Sequence, residues 1–163
     1  MKKTFICCLL TFMCFPLSAA PLGEGSFDMI SISADEARED EEPGILHFNG
    51  NFLMQSRDWK LTSEEATVYG SPDKPDRVYL KGSPAQFLVH RNDQPDQGPI
   101  KAAASVVEYL REANVLILSG GARLELGEEV IRSADIKYDI NTNRYQAGGT
   151  DGVLIDVPST DKF

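Results

Sequence analysis

The sequence predicts an all-β chain assembled from a repeated strand–corner–strand unit. Three observations carry that prediction. Residues 47–69 and 115–139 say nearly the same thing: HFNGNFLMQSRDWKLTSEEATVY against VLILSGGARLELGEEVIRSADIKYD. Apolar alternation keeps its parity through glycine pairs. The connections are rich in Pro, Gly, Asn and Asp, the residues that build turns. Without gaps, Phe48 falls on Leu118, Gly50 on Gly120, Met54 on Leu124, Leu61 on Ile131 and Ser63 on Ser133. Self-similarity at a fixed spacing marks a repeated structural unit.

The N-terminus stands apart. Lys2 and Lys3 precede an apolar run over residues 5–15, which ends in Leu17-Ser18-Ala19-Ala20. That order of basic, apolar and small residues is a secretory signal peptide, and the run falls short of the ~20 residues a spanning helix needs. The expected division is a cleaved signal peptide over 1–20, one domain over 21–158 and a short polar tail over 159–163. Cys7, Cys8 and Cys14 all lie in the removed segment, so the mature chain has neither disulfides nor thiol chemistry. Loss of the two lysines takes 16 basic residues to 14 against 25 acidic ones, and the net charge from −9 to −11. Nucleic acid requires a basic footprint and is excluded as a partner. An anionic membrane surface fits no better.

Four openings follow: Ile32-Ser-Ala34-Asp35, Leu61-Thr-Ser63, Ile100-Lys-Ala102 and Ile131-Arg-Ser133-Ala134. Three corners follow in step, at Asn49-Gly50-Asn51, Lys81-Gly82-Ser83-Pro84 and Ser119-Gly120-Gly121, with a looser fourth at Gly148-Gly149. Asn49-Gly50 alone reads as a hairpin turn. Parity favours a bent strand: Leu46, Phe48, Phe52 and Met54 share one face, as do Leu116, Leu118, Ala122, Leu124 and Leu126. The Lys81 corner changes parity and fits neither pattern. Ser33-Ala34-Asp35-Glu36 has the form of a helical capping box, and residues 101–112 are alanine-rich enough for a helix. Both occupy unit positions that are filled elsewhere by β-branched and aromatic residues, so both are expected to be strands. The longest polar break is 92–99.

Chemistry-bearing patterns are scarce. His47 and His90 lie in different units without a metal-ligand spacing. Acidic pairs such as Glu64-Glu65 and Glu128-Glu129 belong to turns or outer strand faces. Gly148-Gly149-Thr150-Asp151-Gly152 has no following helix to complete a phosphate loop. No catalytic residue, cofactor or metal is expected, and what remains is an apolar face. It forms either the dry core of a closed β-sandwich or the lining of a gutter between two curved sheets, and periodicity fits both.

Here the residues resemble a known family. The openings of type Ile-x-Ala/Ser-x-x-x-x-Tyr are similar to those of the OstA/LptA superfamily. So are the corners Phe48-Asn-Gly-Asn-Phe52 and Leu118-Ser-Gly-Gly-Ala122, the run Gly82-Ser-Pro-Ala-Gln-Phe87 and the closing Ile136-Lys-Tyr-Asp139. The resemblance spans about Ile30 to Val157. It implies a twisted, partly open antiparallel β-jelly roll in the periplasm of a Gram-negative bacterium. Such a protein carries lipopolysaccharide from the inner-membrane transporter to the outer-membrane translocon, with no enzymatic step. Its implied partners are the lipid A acyl chains of lipopolysaccharide, an LptC-like inner-membrane protein, an LptD-like outer-membrane protein and further copies of itself joined end to end. The LptA-like branch fits best, since an LptC-like chain keeps its N-terminal span and an LptD-like chain continues into a large barrel. Carried over by motif, the lipid-binding groove would consist of Ile30, Ile32, Phe48, Met54, Phe87, Val107, Tyr109, Leu118, Leu124 and Tyr138. The joining edge strands would use Met29, Ile30, Ser31 and Ile32 at one end and Val153, Leu154 and Ile155 at the other. A mature charge of −11 suits phosphate poorly and places the head groups outside the gutter. The rivals are a periplasmic carbohydrate-binding or scaffold jelly roll with a closed core, and an exported hydrolase. For the first, the only tryptophan, Trp59, sits in the polar turn 56–60 and offers no sugar platform.

Overall fold

The computed structural model describes residues 29–91 and 97–158. The signal peptide, the 159–163 tail and most of the 92–99 break therefore lie outside the described residues. Nine strands follow one another: β1 Ser31–Ser33, β2 Glu36–Glu39, β3 Ile45–Gln55, β4 Trp59–Ser71, β5 Lys74–Val89, β6 Ile100–Leu110, β7 Val115–Leu126, β8 Glu129–Asp139 and β9 Arg144–Asp156. They form one antiparallel sheet in the order β1-β3-β4-β5-β6-β7-β8-β9, with β2 also paired to β3. Neither stretch is a helix. Ser33 ends β1, Ala34 and Asp35 form a break and Glu36 opens β2, so the strand expected over 34–40 is confined to Glu36–Glu39. The alanine-rich stretch is strand up to Leu110 and turns at 111–112. Alternation with a buried face outweighs alanine's helix propensity there: Ala102, Ala104 and Val107 are buried in β6 while Lys101 and Ser105 point to solvent.

Every long strand is broken at the same level. The register shifts between Asn49 and Phe52 in β3, between Lys81 and Ala85 in β5, between Ser119 and Ala122 in β7, and opposite Ser133–Asp135 in β9. In β3 and β7 one extra residue enters at a corner where two neighbours have positive φ, Gly50 and Asn51 or Gly120 and Gly121. Bulges of this kind bend a strand and raise its twist. The corners are bends inside continuous strands, and not hairpins. The Lys81 corner inserts two residues instead, spacing Lys81 and Ala85 across Val106 and Ala104, and Gly82 has no positive φ. That explains the parity change: Leu80 and Gly82 are buried before it, Ala85 and Phe87 after it.

The row of corners folds the sheet onto itself. Phe87 pairs with Ala102, seven residues along β6 from Tyr109, which is about 23 Å on a flat strand. Yet the Phe87 and Tyr109 rings stand 5.6 Å apart. One wall holds β1, the second half of β3, the first half of β4 and so on alternately; the other wall holds β2 and the remaining halves. Between them lies a core without a buried polar side chain among the described residues, with Tyr138, Phe52, Met54, Leu118, Leu124, Ile131 and Ile136 as its bulk. This is an open, unclosed β-jelly roll, with β1 and β2 at one edge and β9 at the other.

Candidate binding groove

The two walls meet tightly along the corners and loosely along the opposite seam. The corners are close because each glycine receives a small or polar residue from the preceding strand. The Asp35 amide donates to the Gly50 carbonyl at 2.8 Å, Ser105 Oγ donates to the Gly120 carbonyl at 3.0 Å, and Ser133 Oγ to the Gly148 carbonyl at 2.8 Å.

Along the seam the walls touch through isolated side chains. Phe87 meets Tyr109, and Tyr145 Oη donates to Glu129 Oε1 at 3.0 Å. Arg91 Nη2 reaches Tyr138 Oη and Asn143 Oδ1, each at 3.3 Å. Between these contacts a cavity of about 370 Å³ opens. Ile30, Met54, Trp59, Leu61 and Phe87 line it from one wall, and Val78 and Tyr109 from the other; Val89, Asn114 and Ile140 form its mouth. The lining is mostly apolar. Its one carboxylate, Asp73, accompanies Lys74 and Arg111, and Arg111 is held by Asp76 at 3.0 Å and by the Pro75 carbonyl at 2.8 Å.

Ile30, Met54, Phe87 and Tyr109 thus come together on this cavity. Val107, Leu118, Leu124 and Tyr138 lie deeper, with 0 % of their surface exposed, on the packed floor of the fold. Ile32 pairs with Met54 and packs on the same core. Phe48 packs tilted against Phe52, with ring centroids 5.1 Å apart, and faces a separate cleft beside Glu36 and Ala37. Trp59 departs from expectation. It opens β4, half-buried against the core and lining the cavity, because Ser56 N bonds to Trp59 O and closes the turn before it. Polar neighbours in sequence hid it.

Two tyrosine hydroxyls point toward the rim, that of Tyr138 from a ring buried in the floor. Tyr109 Oη donates to Asn114 Oδ1 at 3.0 Å, and Tyr138 Oη to Asn143 Oδ1 at 2.6 Å. Both asparagines stand in the left-handed region, at φ 51° and 55°, where asparagine is tolerated better than most residues. Burial pushes both phenols above the usual tyrosine value. The recurring Tyr-x-x-x-x-Asn spacing was available in the sequence as a signal for this rim.

At the sheet edges, Met29 and Ser31 are exposed, and Ile30 and Ile32 half-buried. Val153, Leu154 and Ile155 are all exposed, Leu154 by 56 %. Consecutive residues of a strand point to opposite faces, so this end of β9 is uncovered on both. Among the described residues no group of His, Cys, Asp and Glu is placed to hold a metal ion.

The sequence model of the family described as "LptA/(LptD N-terminal domain) LPS transport protein" matches residues 31–144. The chain belongs to that family. Among solved structures it is similar to LptH, the LptA homologous periplasmic component of the lipopolysaccharide transport device from Pseudomonas aeruginosa. The TM-score is 0.70 at 20 % identity, over 81 % of this chain and 96 % of that one. A search of curated proteins finds no match. The LptA-type fold accounts for the folded meander, and family membership identifies a lipopolysaccharide transport protein.

Proposed function

We propose that this LptA-family protein is a periplasmic carrier that holds lipopolysaccharide by its lipid A acyl chains in the cleft between the two walls. It receives the lipid from an LptC-like protein of the inner-membrane transporter and passes it to an LptD-like translocon in the outer membrane. The observation that supports this reading is the apolar cavity along a seam where the walls meet, among the described residues, through separate side-chain contacts. Each methylene kept from water is worth about 0.8 kcal/mol, so acyl chains crossing an aqueous space require such a shield, and no catalytic group. A cavity of 370 Å³ suits a small ligand. A lipid with several chains requires the walls to part along the seam, while the corner row stays fixed. Val107, Leu118, Leu124 and Tyr138 then become the floor that the chains reach, with Phe48 and Ile32 beside the N-terminal edge.

Copies join end to end in this proposal. The 153–155 half of β9 adds to β1 of the next copy, where Met29–Ile32 offer a short edge. An unpaired strand with exposed apolar side chains is a template for such addition. The first wall then runs on from copy to copy.

Photo-crosslinking in cells tests the carrier. A photo-reactive residue at Phe87 or Trp59 is expected to form lipopolysaccharide adducts, and one at the exposed Lys137 none. Equal adducts at all three positions, or none at Phe87 and Trp59, would remove the cleft as the binding site.

A further inference from the structure

The apolar cavity has a polar neighbour. A second cavity, of about 310 Å³, is lined by His90, Arg91, Ile100, Asn141 and Asn143, and it shares Val89, Asn114 and Ile140 with the first. The two chambers therefore meet across three residues, one greasy and one hydrogen-bonding, as an amphiphile is built.

Arg91 is the charge in that second chamber. Nη1 donates to Gln97 Oε1 at 2.6 Å, and Nη2 to Tyr138 Oη and Asn143 Oδ1 at 3.3 Å each. Every one of these acceptors is neutral, and no ion pair to Arg91 is found among the described residues. The contrast with its neighbours is plain. Arg77 meets Glu108, Arg111 meets Asp76, and Arg123 and Lys101 share Glu125. Asp139, at the end of β8, is engaged by the Thr142 amide at 3.0 Å. In a chain this acidic, a guanidinium whose acceptors among the described residues are all neutral can exchange them for an anion entering the chamber beside it. Its planar fork matches phosphate with two parallel bonds. Asn114, Asn141 and Asn143 add amide groups suited to sugar hydroxyls.

We propose that this polar chamber is the headgroup subsite of the cleft, taking the phosphorylated saccharide end of an anionic glycolipid, with Arg91 contacting the phosphate. The inference rests on the carrier reading above, and it moves the head group from outside the gutter to the seam. Acyl chains descend past Val89 and Ile140 while the phosphate stays at the rim.

The test uses the mature chain and two probes, diphosphorylated lipid A and the same lipid after phosphatase treatment. Trp59, the only tryptophan, lines the apolar chamber and reports its filling by fluorescence. Arg91→Gln is expected to weaken the phosphorylated lipid about tenfold and to leave the dephosphorylated lipid unchanged. Arg91→Lys, which keeps the charge and loses the fork, falls between. Equal weakening of both lipids, or none of either, would overturn the subsite. So would inorganic phosphate binding that depends on Arg91 without any discrimination between the lipids, since that describes an anion site unconnected with the cleft. No response of Trp59 to either lipid in the unaltered protein would overturn the carrier reading itself, and the subsite with it.

Discussion

Asp35 closes the corner of the neighbouring strand by lying directly over Gly50. Its amide donates to the Gly50 carbonyl at 2.8 Å, and its carboxylate accepts from Asn51 Nδ2 at 2.8 Å. A Cβ on Gly50 would overlap that side chain, and Gly50 also has φ +75°. The left-handed conformation alone costs an alanine about 1–2 kcal/mol. Gly50→Ala is therefore expected to lose more than about 2 kcal/mol in urea unfolding. Adding Asp35→Gly, which empties the overlapped space, recovers part of the loss. Strictly additive losses would mean that the two residues do not act as one corner.

The same relation recurs where a Cβ on Gly149 would overlap Ala134 and one on Gly120 would stand 3.0 Å from Ser105 Oγ. This explains why openings and corners repeat in step. The side chains of residues 35, 105 and 134 each lie over the glycine of the following corner, and at Gly82 the nearest atoms are backbone, of Ala85 and of Glu64, so the openings and the corner glycines are two halves of one contact. The third opening sits two residues later than Ile100 suggested, at Ala102.

The folded wall was legible because parity across Gly120 reports which side of the sheet stays buried. Leu116, Leu118, Ala122 and Leu124 are all buried. The cleft was legible only in part. Alternation marks a side chain as inward without showing whether it faces packed core or open seam, and so Leu118 and Phe87 looked equivalent. Only the folding of the sheet separates them, since Phe87 meets Tyr109 from a distant point of β6. Arg91 and the paired asparagines lie outside the strands, and Trp59 is the first residue of β4 after a polar turn, so periodicity gives no information on any of them.

That difference between Leu118 and the seam sets different mutational outcomes. Leu118 is fully enclosed, so Leu118→Ala is expected to cost about 2–5 kcal/mol, and Leu118→Glu, which buries an unpaired charge, to prevent folding. Val89 is half-buried at the mouth. Val89→Glu should leave the urea midpoint nearly unchanged and lower lipid binding. Far-ultraviolet circular dichroism with a fluorescence titration separates these results. A Val89→Glu protein that binds lipid normally would move the mouth of the cleft elsewhere.

Acid should loosen the fold through carboxylates held in ion pairs. Glu125 is kept below the usual glutamate value, first by its hydrogen bond with Arg123 and also by Lys101. Asp40 is lowered first by its hydrogen bond with His47, whose Nε2 lies 2.6 Å away. A folded-state value below the unfolded one means the native state binds fewer protons. The stabilisation is complete above the ordinary carboxylate range and disappears as pH falls through the lowered folded values. Glu125→Gln should then destabilise at pH 7 and narrow the gap between urea midpoints at pH 7 and pH 3. An unaltered gap would show that the Glu125 contacts contribute nothing to acid sensitivity.

The two sheet edges predict an asymmetric joint. β2, reading Glu-Ala-Arg-Glu, is exposed along its length, and charged edge strands resist addition of another strand. β1 beside it, reading Ser-Ile-Ser, carries no charge. At the far edge Val153, Leu154 and Ile155 are exposed, and the Arg132–Asp156 ion pair ties the end of β9 to β8. Any strand addition of the kind proposed would thereby be confined to one wall. Leu154→Lys is expected to keep the folded monomer and to abolish concentration-dependent growth in sedimentation velocity. A lysine at Ile32 on the facing edge should do the same without any change in β9. Mixing the two variants should restore a single joint, because each keeps one intact edge, and the limit is a heterodimer. Longer chains from that mixture would show that copies associate through some other surface.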